Sequence, residues 1–427
     1  MVFDNILLDR ETADIYLHDY PEHNSKVSMI IHTDDRDLYP EVIIGADFTT
    51  DYDGSLTDDI TTSVMLGLGD YRGLIHPSRD RLMITLIQDF NGKKIKKLYK
   101  AILLTNHNVN SVRNNGYSDE FRNKTDMMEV VFQCINPVYS ALKQLTVNGV
   151  VNNSNLETII RHYMSREMAK ITIDGEVVTP ILDITPVHNT RVYTNVVIDD
   201  RVTLLDLPLF LQTRYGLYNG GVGTYVHVVD DKHVISIFPL YNSEYVNDRY
   251  RMTLYLPDIP MHADVNNKTV LLNDDELRVI GTSTSKRIDT GEVSDFDIGS
   301  GLKSVNSGQV MNRTYSKKNG VVYADRDVMI DTQVEESSKA LLATAKYNMN
   351  TDNLYAMRSM YIRNRAKMLS VQWNFSRPDY LVSGMGVEVV QVFKGKVIRE
   401  KGILVSSHHN IDNTTNNCVT MLNILIN

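Results

Sequence analysis

The residues of this chain that could do chemistry are few, and their spacing argues against most of it. Asp51-Tyr52-Asp53-Gly54-Ser55 opens like a calcium loop, but Leu56 stands where such a loop needs glycine and Thr62 where it needs a bidentate glutamate. A polar turn is expected there. Gly67-Leu68-Gly69 with Gly73, and Gly220-Gly221-Val222-Gly223, lack the spacing and the Lys-Ser/Thr ending of a phosphate loop and read as turns. His408 and His409 are potential metal ligands, yet no third ligand follows at a useful spacing, and adjacent strand residues point to opposite faces. Neither Gly-x-Ser-x-Gly nor His-Glu-x-x-His occurs. Asp199-Asp200 and Asp274-Asp275 read as solvated turn acids, although the two carboxylates of a glycosidase need carry no local signature. The expectation is a chain with no catalytic residue, no cofactor and no metal.

The elements that would position any site are mostly strands. At 427 residues the chain is long enough for about three units of ~150 residues. With 42% hydrophobic and 23% charged residues it reads as globular, and a net charge of −9 opposes a surface that grips nucleic acid. Cys134 and Cys418 lie far apart with no CxxC clip, so both are expected as free core cysteines. Met1-Val2-Phe3-Asp4 does not open a signal peptide, and no apolar run would span a bilayer. Synthesis in a cytoplasm and no membrane insertion are expected.

Residues 25–50 read as strand, turn, strand, broken at Asp34-Asp35-Arg36-Asp37. Residues 82–88 form an apolar, β-branched run ending near Asn91-Gly92, a strong hairpin signal, with a return strand at 101–105. A polar loop spans 106–125 and a strand follows at 128–134. Leu156, Ile159, Ile160, Tyr163 and Met164 share a helical face behind Asn155 as cap. A short helix is predicted over 206–215, with Asp206 as cap, Pro208 in its first turn and Gly216 as stop. A hairpin runs 225–229 against 234–238. Residues 281–320, rich in Ser, Thr, Gly and Asp, read as a long loop or arm, and 335–367 as two helical pieces with a basic, solvated face.

One pattern recurs. Phe90-Asn91-Gly92-Lys93 leads to Ile102-Leu103-Leu104 and His107; Phe393-Lys394-Gly395-Lys396 leads to Ile403-Leu404-Val405 and His408, with two fewer residues between. In both, a strand ends in an aromatic, a glycine turn reverses it, and a strand expected to be buried on both faces returns. Phe90, Gly92, Lys93, Phe393, Gly395 and Lys396 are therefore the candidate module turns and interface residues. The expected fold class is β-rich α+β: two β-barrel or sandwich modules, smaller α+β domains and a long inserted arm. The boundaries are 1–140 for the first module, 141–240 for an α+β middle domain, 241–280 plus 368–427 for the second module, and 281–367 for the arm and helices. Two modules per chain would let a ring of three chains present six similar units.

The order of elements resembles the central baseplate hub family of contractile-tailed bacteriophages, as in T-even phages. The likeness is carried by Val197-Ile198-Asp199-Asp200 with the helix and hairpin after it, by the helix at 352–366 leading into Met368-Leu369-Ser370-Val371-Gln372-Trp373-Asn374-Phe375, and by Met385-Gly386-Val387-Glu388-Val389-Val390 followed by Gly402 to Val405 and His408. The resemblance implies a structural virion protein of the tail baseplate, assembled in the host cytoplasm. It implies that the two β modules are tail-tube-like and that three chains form a homotrimer joining the six-fold tail tube, or a tube-initiator protein, to a three-fold central spike. Other baseplate proteins would be partners, and DNA would pass through its channel without specific binding. The loop at 106–127 and the arm at 281–320 look longer than in the T-even pattern. A tail-associated cell-wall or glycan hydrolase, and a simple tail-tube or neck protein, are the competing readings.

Overall fold

The computed structural model of the chain describes residues 25–40, 42–90, 92–104, 127–173, 175–218, 221–229, 232–240, 251–256, 269–273, 276–280, 282–283, 288–289, 302–306, 309–318, 321–324, 329–330, 367–393, 396–413 and 415–426. The polar loop expected at 106–125 and almost all of the helical stretch expected at 335–367 lie outside these residues.

Alternating apolar and polar residues build the first part of the sheet: β1 (Ser25–His32), β2 (Asp37–Leu38), β3 (Val42–Asp51), β4 (Asp59–Gly67), β5 (Met83–Phe90), β6 (Lys93–Leu103) and β7 (Met127–Ile135). Neighbours pair antiparallel in the order β3-β4-β7-β6-β5-β1. Their inward residues, among them Ile31, Ile60, Val64, Ile84 and Phe132, are fully buried in one cluster. The return strand of the hairpin begins at Lys93, directly after the turn, rather than at 101. Opposite faces of its end differ: Leu103 packs on the core, whereas Ile102 and Leu104 are exposed, at 41% and 50%. The expectation of burial on both faces fails here because no second layer covers these two side chains among the described residues.

The middle region carries α1 (Pro137–Leu142), β8 (Thr146–Ser154) and α2 (Leu156–Met168). Short strands β9 (Thr172–Ile173), β10 (Glu176–Val177) and β11 (Ile181–Ile184) lead to β12 (Tyr193–Thr203). After α3 (Leu207–Arg214) comes the hairpin β13 (Val222–Val229) and β14 (Lys232–Pro239). Asn155 caps α2 by accepting the Thr158 amide at 2.8 Å, and the five apolar residues of its expected face are all buried. Asp206 does not cap α3. Its carboxylate accepts the Thr203 hydroxyl at 2.6 Å instead, and no side-chain bond reaches the helix amides. Gly216 ends α3 at φ +79°, its amide donating to the Leu211 and Gln212 carbonyls.

The remaining strands are β15 (Arg251–Leu256), β16 (Thr269–Asn273), β17 (Glu276–Ile280), β18 (Thr282–Ser283), β19 (Ile288–Asp289), β20 (Leu302–Asn306), β21 (Gln309–Lys318), β22 (Val321–Ala324) and β23 (Met329–Ile330). The chain closes with β24 (Lys367–Asn374), β25 (Gly386–Phe393), β26 (Lys396–Asp412) and β27 (Asn417–Ile426). Part of the stretch read as an arm differs from expectation: β20 to β23 form a four-stranded antiparallel sheet. Val305, Val310, Tyr315 and Val321-Val322-Tyr323 supply its β-forming residues.

Two four-strand runs share one order. In the first, β5 pairs β6, β6 pairs β7 and β7 pairs β4; in the second, β25 pairs β26, β26 pairs β27 and β27 pairs β24, all antiparallel. The flanking strands differ in sense, since β1 lies antiparallel to β5 and β15 parallel to β25. Both runs belong to a single continuous sheet.

Candidate functional site

The two runs meet on one strand. β26 is 17 residues long, and its neighbours change along its length. Residues Lys396–Ile403 pair with β25; Ser406–Ile411 pair with β3 on the same edge; Gly402–Asp412 pair with β27 on the other. Gly402 sits at the changeover. A Cβ there would lie 2.6 Å from the Leu425 carbonyl oxygen and 2.8 Å from Ile424 Cγ2, so the close approach of β27 requires glycine.

Side chains reinforce the pairing of β26 with β3. The Asn410 amide donates to Asp47 Oδ1 at 2.6 Å, and His408 Nδ1 lies 2.9 Å from Thr49 Oγ1 on the exposed face. On the buried face His409 stacks on Phe48, with ring centroids 4.5 Å apart and planes 5° off parallel. The two histidines thus face opposite ways, as a strand requires, and do not converge on a metal. Burial, with the charges of Lys97 and His408, pushes the His409 imidazole down to about 3. Asn413 bonds both the amide and the carbonyl of Val27 at 2.8 Å, standing in for a further strand residue.

A second contact joins the β5–β6 turn to the connector between β24 and β25. Arg377 donates to both carboxylate oxygens of Asp379 at 2.8 Å, and Lys93 Nζ lies 3.3 Å from the same carboxylate. The Arg377 guanidinium also faces the rings of Tyr380 and Phe90 at 4.8 and 5.5 Å. A third contact brings the middle region in. Thr57 and Val226 form a β-bridge, and the Tyr225 hydroxyl donates to Asp58 Oδ1 at 2.8 Å.

Of the turn residues singled out by sequence, Phe90 is buried under Arg377 and Lys93 reaches Asp379. Gly92 takes φ +87° and donates its amide to Asp89 Oδ1 at 2.7 Å. Phe393 and Lys396 pair directly in the backbone, as Phe90 and Lys93 do. Their side chains, and Gly395 altogether, lie outside the described residues. Arg377, Asp379, Asp58 and Lys97 were not singled out. The only sequence signal at Arg377-Pro378-Asp379 is its turn composition.

Cys134 and Cys418 are both free and buried, with thiols that burial pushes up to about 12. Among the described residues no group of three or more His, Cys, Asp or Glu is placed to hold a metal ion, and no helix is long and apolar enough to cross a membrane.

No protein-family model matches the sequence, and no curated protein matches it. The chain is similar, at low identity, to solved structures that include phage tail and secretion proteins. The 43 kDa tail protein of prophage MuSo2 from Shewanella oneidensis is 9% identical, covering 93% of this chain and 98% of its own, with a TM-score of 0.49. A tail protein from Neisseria meningitidis is 9% identical, covering 93% and 96%, with a TM-score of 0.46. An E. coli component of the type VI secretion system, described as similar to the T4 tail proteins gp27 and gp5, is 11% identical, covering 92% of this chain and 76% of its own, with a TM-score of 0.46.

Proposed function

We propose that the chain is a structural hub of a contractile-tail baseplate and not an enzyme. Three copies close into a ring, each contributing two tube-like β modules, so that six similar lobes stack on the six-fold tail tube while the three-fold chain symmetry meets a central spike. DNA passes along the axis without specific contacts, consistent with the net charge of −9.

The observation that carries the reading is the shared strand order of the two runs, together with their edge-to-edge union through Ser406–Ile411 of β26 and Ala46–Asp51 of β3. An edge-to-edge union of two runs within one chain supports a reading in which a similar union closes a ring between chains. Native mass measurement of the purified chain, paired with a turnover assay on peptidoglycan, tests it. A trimer without turnover is expected. A hexamer would favour a tube protein, and turnover would favour a tail-tip hydrolase.

A further inference from the structure

Beside the junction lies a cavity of about 230 Å³, bounded by β3, β6, β26, the β13 strand and the connector 378–382. Its walls are aromatic at Phe48, Tyr52, Tyr99 and Tyr225. Lys97 also lines it, and the register of β6 explains why. Lys97 pairs directly with Leu86, and Tyr99 with Ile84; Leu86, Ile84 and Tyr99 are all buried, so Lys97 stands on the core-facing side of its strand. Lys97 is half-buried, so part of its hydration is lost and an anion at the cavity would answer its charge.

The carboxylates lining the cavity are engaged by other donors. Asp58 Oδ1 accepts the hydroxyls of Thr50 and Tyr225, both at 2.8 Å. Asp379 is held in the two-bond fork of Arg377 and approached by Lys93. Among the described residues Lys97 has no ion-pair partner. Lys93, Lys94 and Lys97 face the cavity against Asp58 and Asp379, and the adjoining Arg377 raises the positive excess further. His227 and His409 complete the polar lining. Burial lowers both imidazoles and Lys97 adds to that effect, while Asp58 and Asp183 oppose it at His227; burial prevails, so both contribute hydrogen-bonding groups without charge.

We propose that this cavity binds a small oxyanion, with the Lys97 ammonium as its charged anchor and the aromatic walls excluding bulk water. The bound anion would tie together β6, the β3–β26 junction and the β13 strand, fastening the middle region to the sheet. The inference stands apart from the hub reading and requires no ring.

The test is the thermal midpoint of the full chain as inorganic phosphate or acetate replaces chloride at constant ionic strength. Excluded-salt effects raise the midpoint of any protein, so the signal is the difference between wild type and Lys97→Met. A saturable rise with either anion in wild type, lost in Lys97→Met, is expected. Lys97→Gln, run alongside, covers a failure of the methionine variant to fold, and phosphorus-31 line broadening of inorganic phosphate by the wild-type chain needs no variant. Equal responses in wild type and variants, or no saturable response to either anion, would overturn the proposal.

Discussion

Lys93 Nζ lies 3.3 Å from Asp379 Oδ2, although 286 residues separate them along the chain. The two partners differ in burial: Lys93 is 56% exposed, while the Asp379 carboxylate has no exposed surface and its other partner Arg377 is only 13% exposed. Asp379→Ala therefore strands a buried guanidinium and should cost about 3–5 kcal/mol. Lys93→Ala removes a solvated partner and should cost under about 1 kcal/mol. Urea denaturation of the two variants compares them, and equal losses would contradict this account of the contact.

Gly402→Ala should destabilise by about 1–3 kcal/mol, because its Cβ would meet the Leu425 carbonyl where β26 changes neighbours. Gly45→Ala is the control. Nothing lies within 4 Å of its Cβ position, so its effect should stay within about 0.5 kcal/mol. Denaturation midpoints of both variants decide the matter.

Acid should weaken the fold before carboxylates dominate. Burial lowers His227 to about 4 and His409 to about 3, while both take up a proton near 6.5 in the unfolded chain. Between those values the unfolded state binds more protons, so stability falls as pH drops from about 6.5. These two histidines contribute two protons to the slope down to about pH 4 and one down to about pH 3, at about 1.4 kcal/mol per proton per pH unit, and His233, also lowered by burial, adds in the same direction. His409→Gln should remove one proton from that slope. An unchanged slope in this variant would place the titration elsewhere.

Cys134 and Cys418 should resist alkylation in the native state, since both are fully buried and their thiols are pushed up to about 12. Iodoacetamide labelling followed by mass spectrometry should find neither modified until denaturant is added. Labelling of either in native buffer would mean that its strand opens readily.

How far the sequence was legible depended on whether each signal was local. Strand β1 announces itself by loose alternation, β5 by an apolar, β-branched run before Asn91-Gly92, the β13–β14 hairpin by two apolar runs about a turn, and α2 by its face and its Asn155 cap. The start of β6 was hidden because Lys93, Lys94, Lys96, Lys97 and Lys100 mask the inward row of Ile95, Tyr99 and Ala101. Pairing with β5 along Lys93–Lys100 makes that segment a strand, and no local pattern reports it. The same holds for the junction: nothing near Ser406 in sequence reveals Asp51 as its partner. Asp206 misled in the opposite way, since a good capping residue was taken by the nearby Thr203 hydroxyl.

The central claim is that each chain brings two equivalent lobes to a ring of three. Electron cryomicroscopy of the purified chain, viewed down the ring axis, tests it most directly. The account predicts closed rings of three chains showing six similar lobes about a central channel. Rings with one lobe per chain, or chains that remain single at every concentration examined, would contradict it.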